Sequence, residues 1–282
     1  MSKQIHNVRV RFHLVSPLLF PAVKPIRPIQ GDGLYGYAWA LSKGLVKTPA
    51  EMDPANLAEP ELPFTLVNDS FFAISSSFAA EGSFLEPTLI YRHADFVQTF
   101  AKQDLGKSYV SNQMGEHQAA RELYWKLVTP YLDFYAQVTD KEHFRELTKL
   151  IWKLGHLGGK RSIGFGEIGK VDVKEKECPN WSVLKEGNPA RPIPVAGWTE
   201  PIKEELIDFV GYKPPYWNRA LYDHCYISPL SFFNFPALPG KEEVEKASAV
   251  LGQKQKDFLD REIAKEERKA QGSTKKKGRS KR

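Results

Sequence analysis

The sequence predicts an α+β fold with the element order strand, helix, strand, insertion, strand, helix, strand. Three observations carry that expectation. Residues 5–15 alternate, with Val8, Val10, Phe12 and Leu14 on one side and Arg9, Arg11 and His13 on the other, the period of a half-buried strand. Phe144, Leu147, Leu150, Ile151 and Leu154 recur three or four residues apart, which places them on one helix face. That helix runs into a glycine-rich stretch, Gly158-Gly159-Lys160-Arg161-Ser162-Ile163-Gly164-Phe165-Gly166, from which a strand with Ile168, Val171 and Val173 emerges.

The remaining elements fill the order in. After the first strand, Pro17, Pro21, Pro25 and Pro28 mark a loop that carries Lys24 and Arg27. Leu34, Ala38, Leu41 and Leu45 predict a helix over 31–45. A second proline-rich loop leads to a strand-like segment, 65–78, with Phe71, Phe72, Ile74 and Phe78. Residues 79–130 break the rhythm until a helical turn expected near 119–127. Strand 131–138 follows, and Thr139-Asp140-Lys141-Glu142 reads as a capping box with Thr139 as N-cap. The order is that of a ferredoxin-like βαββαβ domain, shared by RNA-recognition modules, with a large insertion between its second and third strands.

The domain organisation read from this is 1–176 for the core with its insertion at about 79–130. Residues 177–240 form an irregular extension rich in Pro and aromatics, with a short helix expected over 204–210. Residues 241–282 form a charged helix and a disordered basic tail. The net charge of +6 belongs to that tail. From Gln253 to Arg282 there are 12 Lys and Arg against 5 Asp and Glu, leaving 28 against 29 elsewhere. Any polyanion site in the body is therefore a local patch and not a global field.

Composition excludes several classes. Cys178 and Cys225 are the only cysteines and form no CxxC, so neither a disulfide scaffold nor a zinc site is expected. Cys178 with His224-Cys225 also lacks metal-ligand spacing, and no metal or other cofactor is predicted. No apolar run reaches membrane-spanning length and no signal-peptide core follows Met1, so no membrane partner and a cytoplasmic location are expected.

The glycine stretch points to chemistry. Gly164-Phe165-Gly166-Glu167-Ile168-Gly169 matches GxGxxG, but it follows a helix and opens a strand, the reverse of a dinucleotide fingerprint. No kinase catalytic loop or DFG triplet follows, and Leu154 stands where a Walker glycine would be needed. Four glycines around Lys160 and Arg161 suit a polyanion whose backbone lies directly on the chain, with nucleic acid as the first expectation. Aromatics interleaved with Arg92, His93, Lys102 and Lys107 in the insertion fit the same guest. Tyr216, Trp217, Phe232 and Phe233 are candidates for base stacking or for packing.

Four separated blocks resemble a known family. They are the Gly31-Asp32-Gly33-Leu34-Tyr35-Gly36-Tyr37-Ala38 helix start after the first strand, and Tyr91-Arg92-His93-Ala94-Asp95. The third runs from Phe134-Tyr135 through Gly166. The fourth combines Trp181-Ser182, Arg191-Pro192-Ile193-Pro194 and Pro214-Pro215-Tyr216-Trp217. In this order they resemble the Cas-five-like RAMP subunit of type IV (Csf-type) CRISPR effector complexes. The resemblance implies a non-catalytic subunit that grips the 5′ handle of the crRNA and caps the foot of the backbone-subunit filament. It implies a Cas-seven-like backbone subunit and a Cas-eight-like large subunit as partners, and target DNA reached through the complex.

Mapped onto this chain, the insertion becomes a thumb with Arg92 as its best contact. The RNA-binding set is Gly158, Gly159, Lys160, Arg161, Ser162, Gly164, Phe165, Gly166, Arg92, His93, Lys24, Arg27 and Lys107, and no catalytic residue is expected. The competing expectation is a metal-independent RAMP endoribonuclease that processes CRISPR precursor RNA, with His13, Tyr37, His93, His117 and Lys160 as candidates. The equivalent subunit of a type III complex is a third, which the Arg-Pro-x-Pro and Pro-Pro-Tyr-Trp blocks disfavour.

Overall fold

The computed structural model describes residues 4–21, 26–45, 59–92, 120–216 and 218–236. The chain divides into two compact units, Met1–Glu86 with Trp125–Ala237, and Pro87–Tyr124 with Leu238–Arg282. In the second unit the described residues are 87–92 and 120–124.

The first half of the chain contributes β1 (His6–Leu14), β2 (Leu18–Pro21), α1 (Gly31–Ser42), β3 (Leu66–Val67), β4 (Phe71–Phe72) and β5 (Phe78–Ala79). Next come β6 (Phe84–Arg92), β7 (Ala120–Val128), β8 (Tyr131–Val138), α2 (Lys141–Leu154) and β9 (Ile168–Lys174). The remainder is β10 (Leu184–Lys185), β11 (Asn188–Pro189), β12 (Ile193–Pro194), β13 (Leu206–Gly211) and β14 (Tyr222–Ile227).

The principal sheet has the order β5-β8-β1-β9 with every pairing antiparallel. A first strand lying between the last and the third, with a helix after it and another before the last, is the ferredoxin-like arrangement. The fold is α+β, with few helices and antiparallel sheets. Val8, Val10 and Phe12 point to the helix side and are at most 2% exposed. The alternation read from the sequence thus sets which face of β1 is core.

Both helices pack on that face. Phe144, Leu147, Thr148 and Ile151 of α2 are buried. From α1 the buried residues are Gly31, Asp32, Tyr35, Gly36, Ala38 and Trp39. Of the expected stripe Leu34, Ala38, Leu41 and Leu45, Ala38 is buried, but Leu34 and Leu41 are half-buried and Leu45, beyond the helix end, is exposed, so the buried face is rotated toward Tyr35 and Trp39. Tyr35 is fully buried, stacks on Phe144 at 5.8 Å and meets the edge of Phe64 at 5.0 Å. Its hydroxyl lies 2.7 Å from Thr148 Oγ1, which itself donates to the Phe144 carbonyl at 2.8 Å. A buried phenol needs such a partner.

Several local expectations are corrected. Asp140, not Thr139, caps α2: its side chain accepts from the His143 amide at 3.1 Å, while Thr139 donates to the Pro63 carbonyl instead. The helical turn expected near 119–127 is strand β7, in a three-stranded sheet of order β2-β7-β6. The apolar and aromatic run from Leu123 to Val128 suits a pleated, half-buried surface better than a helix turn. The short helix expected over 204–210 is strand β13, where Ile207, Phe209 and Val210 favour extension and β14 supplies the ladder. The single strand expected over 65–78 is broken into β3, β4 and β5, because Asn68 and Asp69 take positive φ of 48° and 50° in a tight turn.

Among the described residues after 177 the chain forms five short strands and two 3-10 turns joined by loops, three of the strands in a sheet of order β12-β14-β13. The charged helix and basic tail expected over 241–282 lie outside the described residues.

Candidate nucleic-acid interface

The glycine stretch is built as a pinned neck with an open tip. Helix α2 ends at Gly155 in the left-handed conformation, its amide bonded to the Trp152 carbonyl at 2.9 Å. Two backbone bonds then close the neck, Leu157 N to Gly166 O and Ile168 N to Gly155 O, both 2.7 Å. The loop after β1 braces it from outside: Gly166 N donates to the Pro17 carbonyl and Glu167 N to Ser16 Oγ, both at 2.8 Å.

Gly166 belongs to that neck. A Cβ placed there would stand 1.9 Å from the Leu157 carbonyl oxygen, at a φ of 71°, so the residue is required for closure and is itself buried. Gly159 is different. It is exposed, and a Cβ added there would have only the Leu19 carbonyl oxygen nearby, at 3.9 Å.

Among the described residues, the amides of Gly158 and Gly159 donate to no protein acceptor. They stand beside Lys160, which is half-buried and holds a φ of 56°. Such a backbone in a non-glycine residue costs roughly 1–2 kcal/mol and tends to be retained where a site uses it. Arg161 opens a short 3-10 turn, Arg161–Ile163, in which Ser162 is exposed; Gly164 is exposed and Phe165 half-buried. Chemically, adjacent amides of this kind next to a lysine and an arginine could hold an anionic group.

The open face of the principal sheet carries a second group. Arg11 forms a two-pronged bond to Asp133, both contacts 2.7 Å, and its Cζ lies 3.5 Å from the Tyr131 ring centroid. The Asp133 hydrogen bond holds the Arg11 guanidinium charged still more firmly than usual. His13 Nε2 lies 2.8 Å from Asp172 Oδ2, and Lys170 Nζ meets the other oxygen at 2.7 Å. Lys170 first, then His13, keeps the Asp172 carboxyl below its ordinary range.

Toward the other end of the face, Tyr135 is 9% exposed beneath Trp181, with ring centroids 5.0 Å apart. Burial, then Asp133, pushes its phenol up to about 12. The segment after β9 thus roofs part of a surface that RNA-recognition modules leave open.

The sequence-predicted residues do not all gather at one place. Gly158 through Gly166 form one continuous loop. Arg27 lies elsewhere, exposed at the rim of a cleft and paired with Asp208 at 3.2 Å. Arg92 ends β6, and only its backbone is described. Lys24, His93, Lys107, His117 and Trp217 lie outside the described residues. Tyr216 and Phe233 are structural: the Tyr216 hydroxyl donates to Asp32 at 2.6 Å, and Phe233 is 4% exposed. Phe232 packs on Phe78 and Phe233, with centroids 5.6 and 5.1 Å apart.

Sequence reasoning missed a fully buried polar cluster around Arg191. Arg191 donates to Asp32 at 2.8 Å, to the Ile74 carbonyl at 3.3 Å, and to the carbonyls of Phe72 and Tyr212. A lone cation in the apolar, proline-rich run Pro189-Ala190-Arg191-Pro192-Ile193-Pro194 was the available signal.

Both cysteines are free, Cys225 buried and Cys178 half-buried. Among the described residues, no three metal-binding side chains cluster, and no helix is long and apolar enough to cross a membrane.

No family model matches the chain, and no curated protein does. Among solved structures it is similar to a chain of the cryo-EM structure of the Type III-B Cmr-beta bound to cognate target RNA, at 11% identity and a TM-score of 0.38. The match covers 61% of this chain and 61% of that one, so the chain spans less than two thirds of the neighbour's length. The ferredoxin-like assignment rests on the strand order of this chain, not on that likeness.

Proposed function

We propose that this chain is a non-catalytic RNA-binding subunit of a CRISPR ribonucleoprotein, and within that class the type IV subunit that grips the 5′ handle of the crRNA. The observation that carries this reading is the loop tip, where Gly158 and Gly159 are exposed and, among the described residues, their amides donate to no protein acceptor, next to Lys160 and Arg161 in the chain on a neck closed by backbone bonds. Backbone amides and cations would take phosphates, which fixes register, while a pinned neck limits the ordering cost of binding. The insertion between β5 and β8 would act as the thumb. A Cas-seven-like backbone subunit and a Cas-eight-like large subunit would be its neighbours, with target DNA reached through the assembly.

The test is binding of the full chain to a guide RNA with its natural 5′ handle and to one with that handle scrambled. The proposal expects the natural handle to bind more tightly and the RNA to stay whole on a denaturing gel. Equal affinity for both RNAs would remove handle recognition.

A second reading, a metal-independent endoribonuclease, has one specific observation behind it. His13 is braced by Asp172 at 2.8 Å, the arrangement that orients an imidazole for acid–base work. Cleavage at one site in the same gel, without added metal and lost in His13→Ala, would decide for it.

A further inference from the structure

The cleft beside Arg27 is lined by none of the glycine-loop residues. It encloses about 460 Å³, within the range of sites for small organic ligands. Val210, Tyr222 and Phe233 are among its apolar lining, and Gln30 and Ser76 add neutral polar groups. Ser76 Oγ donates to Gln30 Oε1 at 2.9 Å, whereas among the described residues the Gln30 amide nitrogen meets the Pro28 carbonyl alone, at 3.4 Å. An amide nitrogen carries two donors, so hydrogen-bonding capacity remains inside the cleft. Arg27 and Asp208 line it as well and are each 48% exposed, an ion pair of little net worth that a competing anion can open.

Resting on the reading that the chain binds RNA, we propose that this cleft receives one unstacked nucleobase of single-stranded RNA, with Arg27 turning from Asp208 to that nucleotide's phosphate. The lining matches the guest on three counts. A base has flat apolar faces, which Tyr222 and Leu206 of the lining can contact. It has a polar edge, which Gln30 and Ser76 can meet. It carries an anion on its sugar, which Arg27 can neutralise. An aliphatic side chain from a protein partner would satisfy the first of these and leave the Gln30 donor unmatched.

The experiment uses the full chain with the four ribonucleoside monophosphates and with ribose phosphate as probes, in calorimetric titrations. Azido-adenosine monophosphate, photocrosslinked and mapped by mass spectrometry, locates the site. The expected result is binding of base-bearing nucleotides with ribose phosphate about tenfold weaker or worse, the order of one lost base–aromatic contact. The crosslink is expected within 222–233 or 26–30.

Leu206→Trp, at a lining position 47% exposed, is expected to weaken mononucleotide binding about tenfold by filling the cleft. If Leu206→Trp fails to fold, the crosslink on the unaltered chain decides alone. Ribose phosphate binding as well as the nucleotides, or a crosslink in the glycine loop, overturns the base site while leaving RNA binding by the loop intact. A crosslink in the cleft with no binding of longer RNA instead sinks the handle-gripping reading.

Discussion

The guanidinium of Arg191 and the carboxylate of Asp32 meet at 2.8 Å with both side chains closed to solvent. Asp32 sits in the first turn of α1 and Arg191 just before β12, so one ion pair fastens the C-terminal extension to the ferredoxin-like core. The other Asp32 oxygen accepts from the Tyr216 hydroxyl at 2.6 Å and the Gly33 amide at 2.9 Å. Burial pushes the Tyr216 phenol well up, so it stays a donor to that carboxylate.

Removing one member of this cluster strands the other charge in the interior. Arg191→Leu is expected to destabilise the protein by about 3–5 kcal/mol, with Asp32→Leu alike. The double variant is expected to cost less than the sum of the two. Urea unfolding of the three proteins checks this, and additive losses would mean the two residues act separately.

Three separate stretches of sequence, around Asp32, Arg191 and Tyr216, converge on this cluster. Their separation of up to 184 positions made the convergence illegible in one dimension. What was legible was local. The alternation of β1 and the period of α2 depend on neighbouring residues, and the strand order followed from them. The buried face of α1 was not legible, because Tyr35, Asp32 and Trp39 are covered by partners from distant segments. Strands β7 and β13 were hidden for a similar reason, since their ladders come from elsewhere in the chain. For the loop, the sequence could place Lys160 and Arg161 in a turn. Only the folded backbone separates Gly166, which closes the neck, from Gly159 at the tip.

That separation is testable. Gly166→Ala is expected to lower stability by about 1–3 kcal/mol, since its Cβ would meet the Leu157 carbonyl in a left-handed backbone. Gly159→Ala is expected to change stability by no more than about 0.5 kcal/mol and to weaken RNA binding. Thermal melts paired with RNA titrations check both.

Glu175 links α2 to the end of β9 through Arg145 at 2.7 Å and Lys141 at 3.1 Å. The Arg145 bond, then that of Lys141, holds its carboxyl below the usual range. A depressed native value means a contribution present above the unfolded-state pKa of about 4 and lost as pH falls through the native one. Solvent screens the pair, so Glu175→Gln is expected to cost no more than about 1 kcal/mol near neutrality. The gap between the two proteins should close below about pH 4, which melts across an acid series would record.

RNA gripping by the glycine loop is tested most directly by the salt dependence of guide-RNA affinity for the unaltered chain and for Lys160→Ala with Arg161→Ala. If both cations neutralise phosphates, the double variant binds more weakly and its log–log slope flattens by about 1–2, close to one per lost contact. An unchanged slope and affinity would mean that the glycine loop is a surface turn and that RNA, if bound, is gripped elsewhere.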